Sequence, residues 1–313
     1  MLHYEEWGEG DPVIALHPLA LESSAFAGVA PALASHGLRT LAVDLPGFGR
    51  SPAPDAPLTP ECLAAPVSSL ARSLERPPLL VGMSLGGRIA LEVALQDPSA
   101  VRGVVMVAPF MPWRSRWRRG IELMRYVDPG WAEWLALERA WPVLQRLANA
   151  IESRPNLEHD WLARAAARCI YYSSCPATRV AFLSATRGMA LDPATGPESV
   201  WERLANVGVP TTFLWAGRDA MIPRSHMDDV DAVLPAADQL EVPCAAHFVS
   251  GVHFACMRHA ITLAVRRTLE SERTGSIGEG TRTLTPCLAG LEDAQQAAGP
   301  PAPEPAATAR GEA

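Results

Sequence analysis

Lysine is absent from this chain: all 27 basic residues among the 313 are arginine. We read that as a bias of genomic composition and not as a functional device. An excess of positive charge is missing too. The formal net charge is −7 at pH 7 and no basic stripe stands out, which argues against nucleic acid as a partner. No apolar run approaches the roughly 20 residues that a membrane-spanning helix needs. The most apolar stretch, Val104 to Trp113, is short and broken by Pro109 and Pro112. The start, Met1-Leu2-His3-Tyr4-Glu5-Glu6, lacks the apolar core of a secretory signal, so the expectation is a cytoplasmic protein. Cysteines are few, at 62, 169, 175, 244, 256 and 287, and so scattered that they form no disulfide framework. They read as buried, inert thiols. Cys244, His247, His253 and Cys256 have a spacing loosely like that of a zinc site. Cys244 leaves a predicted strand and Cys256 enters a predicted helix, so no metal is expected. No internal repeat is present to suggest a solenoid.

What the chain does have is ordinary globular material, 48% hydrophobic and 19% charged, enough for a sizeable core. Strand-like runs at 13–16, 40–44, 79–82 and 101–107 alternate with helix-like runs at 24–35, 60–74 and 85–96. Such alternation predicts an α/β fold, a mostly parallel sheet with helices on both faces. The alternation stops near Pro112 and resumes at Thr211, where 210–216 and 239–243 read as strands. The stretch between shows helical periodicity and little strand signal. The expected organisation is therefore a core from 1–111 and 207–270, a helical cap or lid at 112–206 over the strand ends, and a tail at 271–313. The tail is rich in Gly, Pro, Ala, Thr and Glu, with too little apolar material to offset its ordering entropy, and it reads as disordered.

The cap carries Trp113, Trp117, Trp131, Trp134, Trp141, Trp161 and Trp201. Most of these are expected to pack the cap onto the core, with one or two lining an apolar pocket. Arg114, Arg116, Arg118 and Arg119 form either a solvated basic face, which is favoured, or a fork for a substrate carboxylate.

The chemistry-bearing motif is Gly82-Met83-Ser84-Leu85-Gly86, with Gly87 next. It joins the apolar run Leu79-Leu80-Val81 to an amphipathic helix pattern. A serine on so sharp a strand-to-helix turn has a strained backbone, and glycines flank it because larger side chains would clash. The turn presents Ser84 Oγ beside a helix N-terminus, whose N–H groups can stabilise an oxyanion. A serine hydroxyl is a poor nucleophile at neutral pH. It needs a base and a carboxylate to orient that base. Asp219, in Gly217-Arg218-Asp219 after a late strand, supplies the carboxylate. His247, in Ala246-His247 just past the next strand, is the favoured base. His253 is its rival, and His259 falls well inside the last helix. The second oxyanion donor has to come from His17-Pro18-Leu19-Ala20. Pro18 has no N–H, so the candidate pair is the Leu19 and Leu85 backbones, with His17 an organiser of that loop.

These segments, together with Asp44-Leu45-Pro46-Gly47-Phe48-Gly49-Arg50-Ser51, resemble the α/β-hydrolase superfamily over residues 3 to 270. The chain departs from the family's usual glycine at Pro18 and at Ala246. A serine at position 84 also speaks against the branches that use aspartate there. The resemblance implies a cofactor-free serine hydrolase acting on a carboxylic ester, lactone or related acyl bond of a small, mainly apolar substrate. The same residues serve acyl transfer, thioester hydrolysis, carbon–carbon cleavage or slow-turnover ligand sensing, and the sequence leaves these open. It also leaves the oligomeric state open.

Overall fold

The computed structural model describes residues 1–113, 146, 176–219, 221–247, 252–275 and 281–283. Among the described residues, an 8-stranded sheet has the order β1-β3-β2-β4-β5-β6-β7-β8. Its strands are β1 (Tyr4–Trp7), β2 (Asp11–Leu16), β3 (Leu38–Val43), β4 (Leu79–Met83), β5 (Gly103–Val107), β6 (Thr211–Ala216), β7 (Asp238–Val242) and β8 (Thr281–Thr283). Only β1 runs antiparallel, against β3; the other pairings are parallel. The central strands are buried on both faces, which is why they read as near-continuous apolar runs.

The side-chain period of two divides each strand between two cores. Ile14, Leu16, Leu80, Val104, Met106 and Phe213 enter one cluster, and Val13, Ala15, Val81, Val105 and Leu214 enter the other. The first face is covered by α2 (Pro60–Ser73), α3 (Leu85–Gln96), α4 (Pro176–Leu191), α5 (Val200–Leu204) and α6 (Ser225–Val233). The second is covered by α1 (Ala30–Ala34) and α7 (Val252–Thr274).

Helix α3 matches its predicted span, and α2 does so to within one residue. Thr59 caps α2, its side chain accepting from Cys62 N at 3.2 Å, and Pro60 stands in the first turn, where no N–H is needed. The helix predicted over 24–35 is instead a 3-10 turn at Ser23–Phe26 followed by α1. Gly28 lies between them, and Pro31 restarts the helix at its first turn. The unpredicted β1 is an edge strand with alternating half-exposure, so it carries no apolar run to announce it.

Most of the expected cap, 114–145 and 147–175, lies outside the described residues, and with it Trp117, Trp131, Trp134, Trp141, Trp161 and Arg114, Arg116, Arg118 and Arg119. Its described remainder packs into the core: Ala181, Ala185 and Met189 of α4 and Trp201 of α5 join the same cluster as α3. Two described elements reach into the span 271–313 that reads as a tail. Helix α7 continues to Thr274, and Leu269 near its end packs on the second core. The short segment Thr281–Thr283, with a β-branched threonine at each end, adds β8 beside β7. Residues 284–313 lie outside the described residues. Among the described residues no helix is long and apolar enough to cross a membrane.

Candidate active site

Because β2 through β7 are parallel, the loops that follow them emerge at one edge of the sheet, where sites in such folds form. Ser84 follows β4 with φ 50° and ψ −111°, a conformation that L-residues avoid. Its flanking glycines are required by contact. A Cβ on Gly82 would collide with the Gly86 carbonyl, and one on Gly86 with the Leu16 carbonyl. The second contact seats the start of α3 directly against the loop that follows β2.

Asp219 follows β6 and His247 follows β7. The structure brings both to Ser84. His247 Nε2 lies 3.0 Å from Ser84 Oγ, and His247 Nδ1 lies 2.8 Å from Asp219 Oδ2. The Asp219 side chain is 3% exposed and that of His247 4%, so solvent does not compete for either bond. The other carboxylate oxygen, Asp219 Oδ1, accepts from Met221 N at 2.7 Å and Ile222 N at 2.8 Å. That leaves Oδ2 for the imidazole, which fixes Nδ1 as the protonated nitrogen and Nε2 as the acceptor for the serine hydroxyl. The two loops are stitched together: Gly217 N donates to Val242 O at 2.9 Å and Arg218 N to Ala245 O at 2.8 Å. Gly217 also approaches Pro243 so closely that a Cβ would lie 2.7 Å from its Cα. His253 lies in the first turn of α7, with its side chain outside the described residues, and His259 is exposed on the same helix.

His17 organises the loop that holds Leu19. It is fully buried. Its Nε2 accepts from Leu45 N at 3.0 Å, so Nδ1 carries the proton and donates to Pro18 O at 2.8 Å. Burial holds its pKa down to about 4, so the ring is neutral. Leu21 N also donates to Pro18 O, at 3.3 Å. The Pro18–Leu19 peptide is planar and trans, so the Leu19 N–H points away from the side on which its carbonyl is held. Ala20 completes the turn at φ 63°. The N–H of Leu85 belongs to the first turn of α3, where helix donors lack intrahelical partners.

Asp44 supports this edge from beneath. It accepts from Ser23 N at 2.7 Å, Arg50 N at 2.9 Å and His3 Nδ1 at 2.9 Å. Burial alone would raise its pKa, but these bonds, led by the Arg50 and Ser23 backbones, hold it below the ordinary carboxylate range. Ala20 at φ 63°, Ala108 at φ 41° and the His3–Asp44 bond were not anticipated. Alanine carries no sequence mark of a left-handed backbone, and a pairing across 41 residues shows no local signal.

Cys62 and Cys256 are free thiols. Cys244 is disulfide-bonded, which corrects its reading as an inert thiol and removes it from the zinc alternative. Scattered spacing could not reveal that pairing. Among the described residues no group of three or more His, Cys, Asp or Glu side chains could hold a metal ion.

Comparison with known proteins places the fold. The family model for the alpha/beta hydrolase fold matches residues 11–254. The chain is 31% identical over 251 residues to a pimeloyl-[acyl-carrier protein] methyl ester esterase of Sodalis glossinidius, covering 79% of this chain and 90% of that one. It is 26% identical over 253 residues to a protein of the same name from Aeromonas hydrophila, covering 78% and 91%. A thermophilic esterase from Thermogutta terrifontis superposes with a TM-score of 0.59 at 23% identity, over 87% of this chain and 94% of that chain. The chain thus belongs to the α/β-hydrolase family, as an enzyme of the carboxylic ester hydrolase type.

Proposed function

We propose that the protein hydrolyses a carboxylic ester through an acyl-enzyme on Ser84. The observation that carries this reading is the unbroken line Asp219–His247–Ser84, with bonds of 2.8 and 3.0 Å, ending on a serine whose backbone is strained to present it. His247 Nε2 takes the Ser84 proton as Oγ attacks the carbonyl carbon. The tetrahedral oxyanion is held by the Leu19 and Leu85 N–H groups. Asp219 stabilises the imidazolium, which then protonates the departing alkoxide. The ester C–O bond breaks, the alcohol leaves, and an acyl-serine remains. Water delivers its proton to His247 and attacks the acyl carbonyl, releasing the acid and restoring Ser84. These steps need no cofactor, and the acyl group that they act on is mainly apolar.

The names of the relatives, pimeloyl-[acyl-carrier protein] methyl ester esterases, favour methyl esters, including one of an acyl group borne on a carrier protein, as the class to assay first. The test is a fluorophosphonate probe with the adduct located by mass spectrometry, beside hydrolysis of methyl and short-chain p-nitrophenyl esters. Labelling of Ser84 with turnover supports the reading. A folded protein that is neither labelled nor active overturns it, and ligand sensing on the same fold takes its place.

A further inference from the structure

Apart from the triad, the structure buries a second set of charges. Arg88 of α3 is wholly buried. Its Nε and Nη2 donate to the two oxygens of Asp192 at 2.7 and 3.3 Å, and its Nη1 donates to Glu92 at 2.8 Å. Glu92, also wholly buried, accepts from Arg203 of α5 at 2.6 and 3.2 Å and from Gln96 Nε2 at 2.7 Å. Two cations and two carboxylates thus join α3, the residue just after α4, and α5. Such a network is a poor device for stability alone. Desolvation offsets most of the Coulombic gain, and a well-packed apolar pair serves as well. What it supplies is geometry: the planar guanidinium fork accepts a carboxylate in few orientations.

The geometry it holds is that of α4. This helix stands at the carboxyl edge of the sheet, against the loop after β3. A Cβ on Gly47 would lie 2.5 Å from the Ala181 methyl. Leu58 N donates to Ser184 Oγ at 2.9 Å, and Gly188 abuts the Leu58 carbonyl. The same edge carries Leu19, Ser84, Asp219 and His247. Arg88 lies one helical turn beyond Ser84, with its backbone N donating to Ser84 O at 3.1 Å. The clamp therefore ties α4, at this edge of the sheet, to the helix that begins at the nucleophile.

We propose that Arg88 and Asp192 are positioning residues that set acyl-chain selectivity by fixing where α4 stands relative to Ser84. The proposal rests on the ester-hydrolase reading above and deepens it. The experiment compares wild type, Asp192→Asn and the double variant Arg88→Met/Asp192→Leu. The double variant removes cation and carboxylate together and leaves Glu92 with Arg203. For each protein, kcat and KM are measured on p-nitrophenyl esters from acetyl to decanoyl, alongside Tm, fluorophosphonate labelling of Ser84 and hydrogen exchange along α4.

Both variants are expected to keep the labelling rate while the long-to-short ratio of kcat/KM shifts about tenfold, mainly through KM. The shift persists in the double variant even where its Tm returns to the wild-type value, an outcome that a purely stabilising role would not produce. A folded Asp192→Asn protein with the wild-type chain-length profile overturns the proposal. So does a double variant that recovers profile and Tm together. Should the double variant not fold, Asp192→Asn decides alone. If wild type neither labels nor turns over any ester, the ester-hydrolase reading has failed. Hydrogen exchange then reads the clamp separately, and unchanged exchange along α4 in Asp192→Asn overturns that as well.

Discussion

Ser84, His247 and Asp219 come from three different loops and meet in one hydrogen-bonded line; in the proposed mechanism the proton passes only between Ser84 and His247, while Asp219 orients the ring. Because Asp219 Oδ1 is occupied by two backbone N–H groups, the carboxylate cannot rotate away from the imidazole. Asp219→Asn is expected to lower kcat on the order of 10⁴-fold, since an amide can donate to Nδ1 and reverse the tautomer. Ester turnover of the purified, folded variant checks this. Ser84→Ala is expected to abolish labelling and turnover with the far-UV dichroism unchanged, and His247→Ala to be far more damaging than His253→Ala. His17 yields a pH prediction. Its pKa falls from 6.5 to about 4 on burial, so the folded state binds fewer protons than the unfolded state between those values. Stability is then fully present above the unfolded pKa and is lost as pH falls through the window. At about 1.4 kcal/mol per unit the loss is about 3 kcal/mol. Urea unfolding from pH 6.5 to 4 should show a slope that His17→Asn makes shallower. Equal slopes would place the acid sensitivity elsewhere.

Among the elements, α3 does most to define the site, and its position depends on absent side chains. Gly86 lets the helix start touch the Leu16 carbonyl, and two backbone segments in contact cannot shift cheaply. Gly86→Ala is expected to destabilise the fold by about 1–3 kcal/mol and to slow Ser84 labelling, because the Leu85 donor moves with the helix. Unfolding titrations and labelling rates on the same preparation test both halves. The glycines at 82, 86 and 87 were legible as a turn from the sequence. That Gly86 answers to the loop after β2 was not, because Leu16 is seventy residues away and only the parallel pairing of β2 with β4 brings it there. Edge strand β1 is not legible in the sequence for a related reason: strands that bury one side poorly leave no apolar pattern.

At the scale of the molecule, the described part of the region read as a cap belongs to the core. Its return leg, α4 and α5, shares a core with α3, and Trp201 donates its indole N–H to Pro112 O at 2.6 Å, tying the departing chain to the returning one. Helical periodicity marked this leg as helix. It could not say what the apolar stripe would face, since a stripe fits a lid and a core equally well. The far edge of the sheet carries another prediction. A chain ending at residue 283 should melt at the wild-type temperature, whereas one ending at 275 should melt a few degrees lower as β7 becomes the exposed edge. Equal melting of the two truncations would show that β8 adds nothing.

The sequence by itself determined the alternation of strand and helix, and so the parallel sheet. It also determined the strained serine turn and the order in which serine, acid and histidine occur along the chain. These are local properties, written in side-chain period, in glycine placement and in the few residue types able to carry the chemistry. Tertiary structure alone decided that His247 faces Ser84, that Asp219 has one oxygen left for it, that His17 turns the Leu19 peptide, and that Arg88 reaches Asp192 across 104 positions. Each of these is a distance between segments remote in the chain. Such distances are set by how the layers pack, and no single segment encodes them.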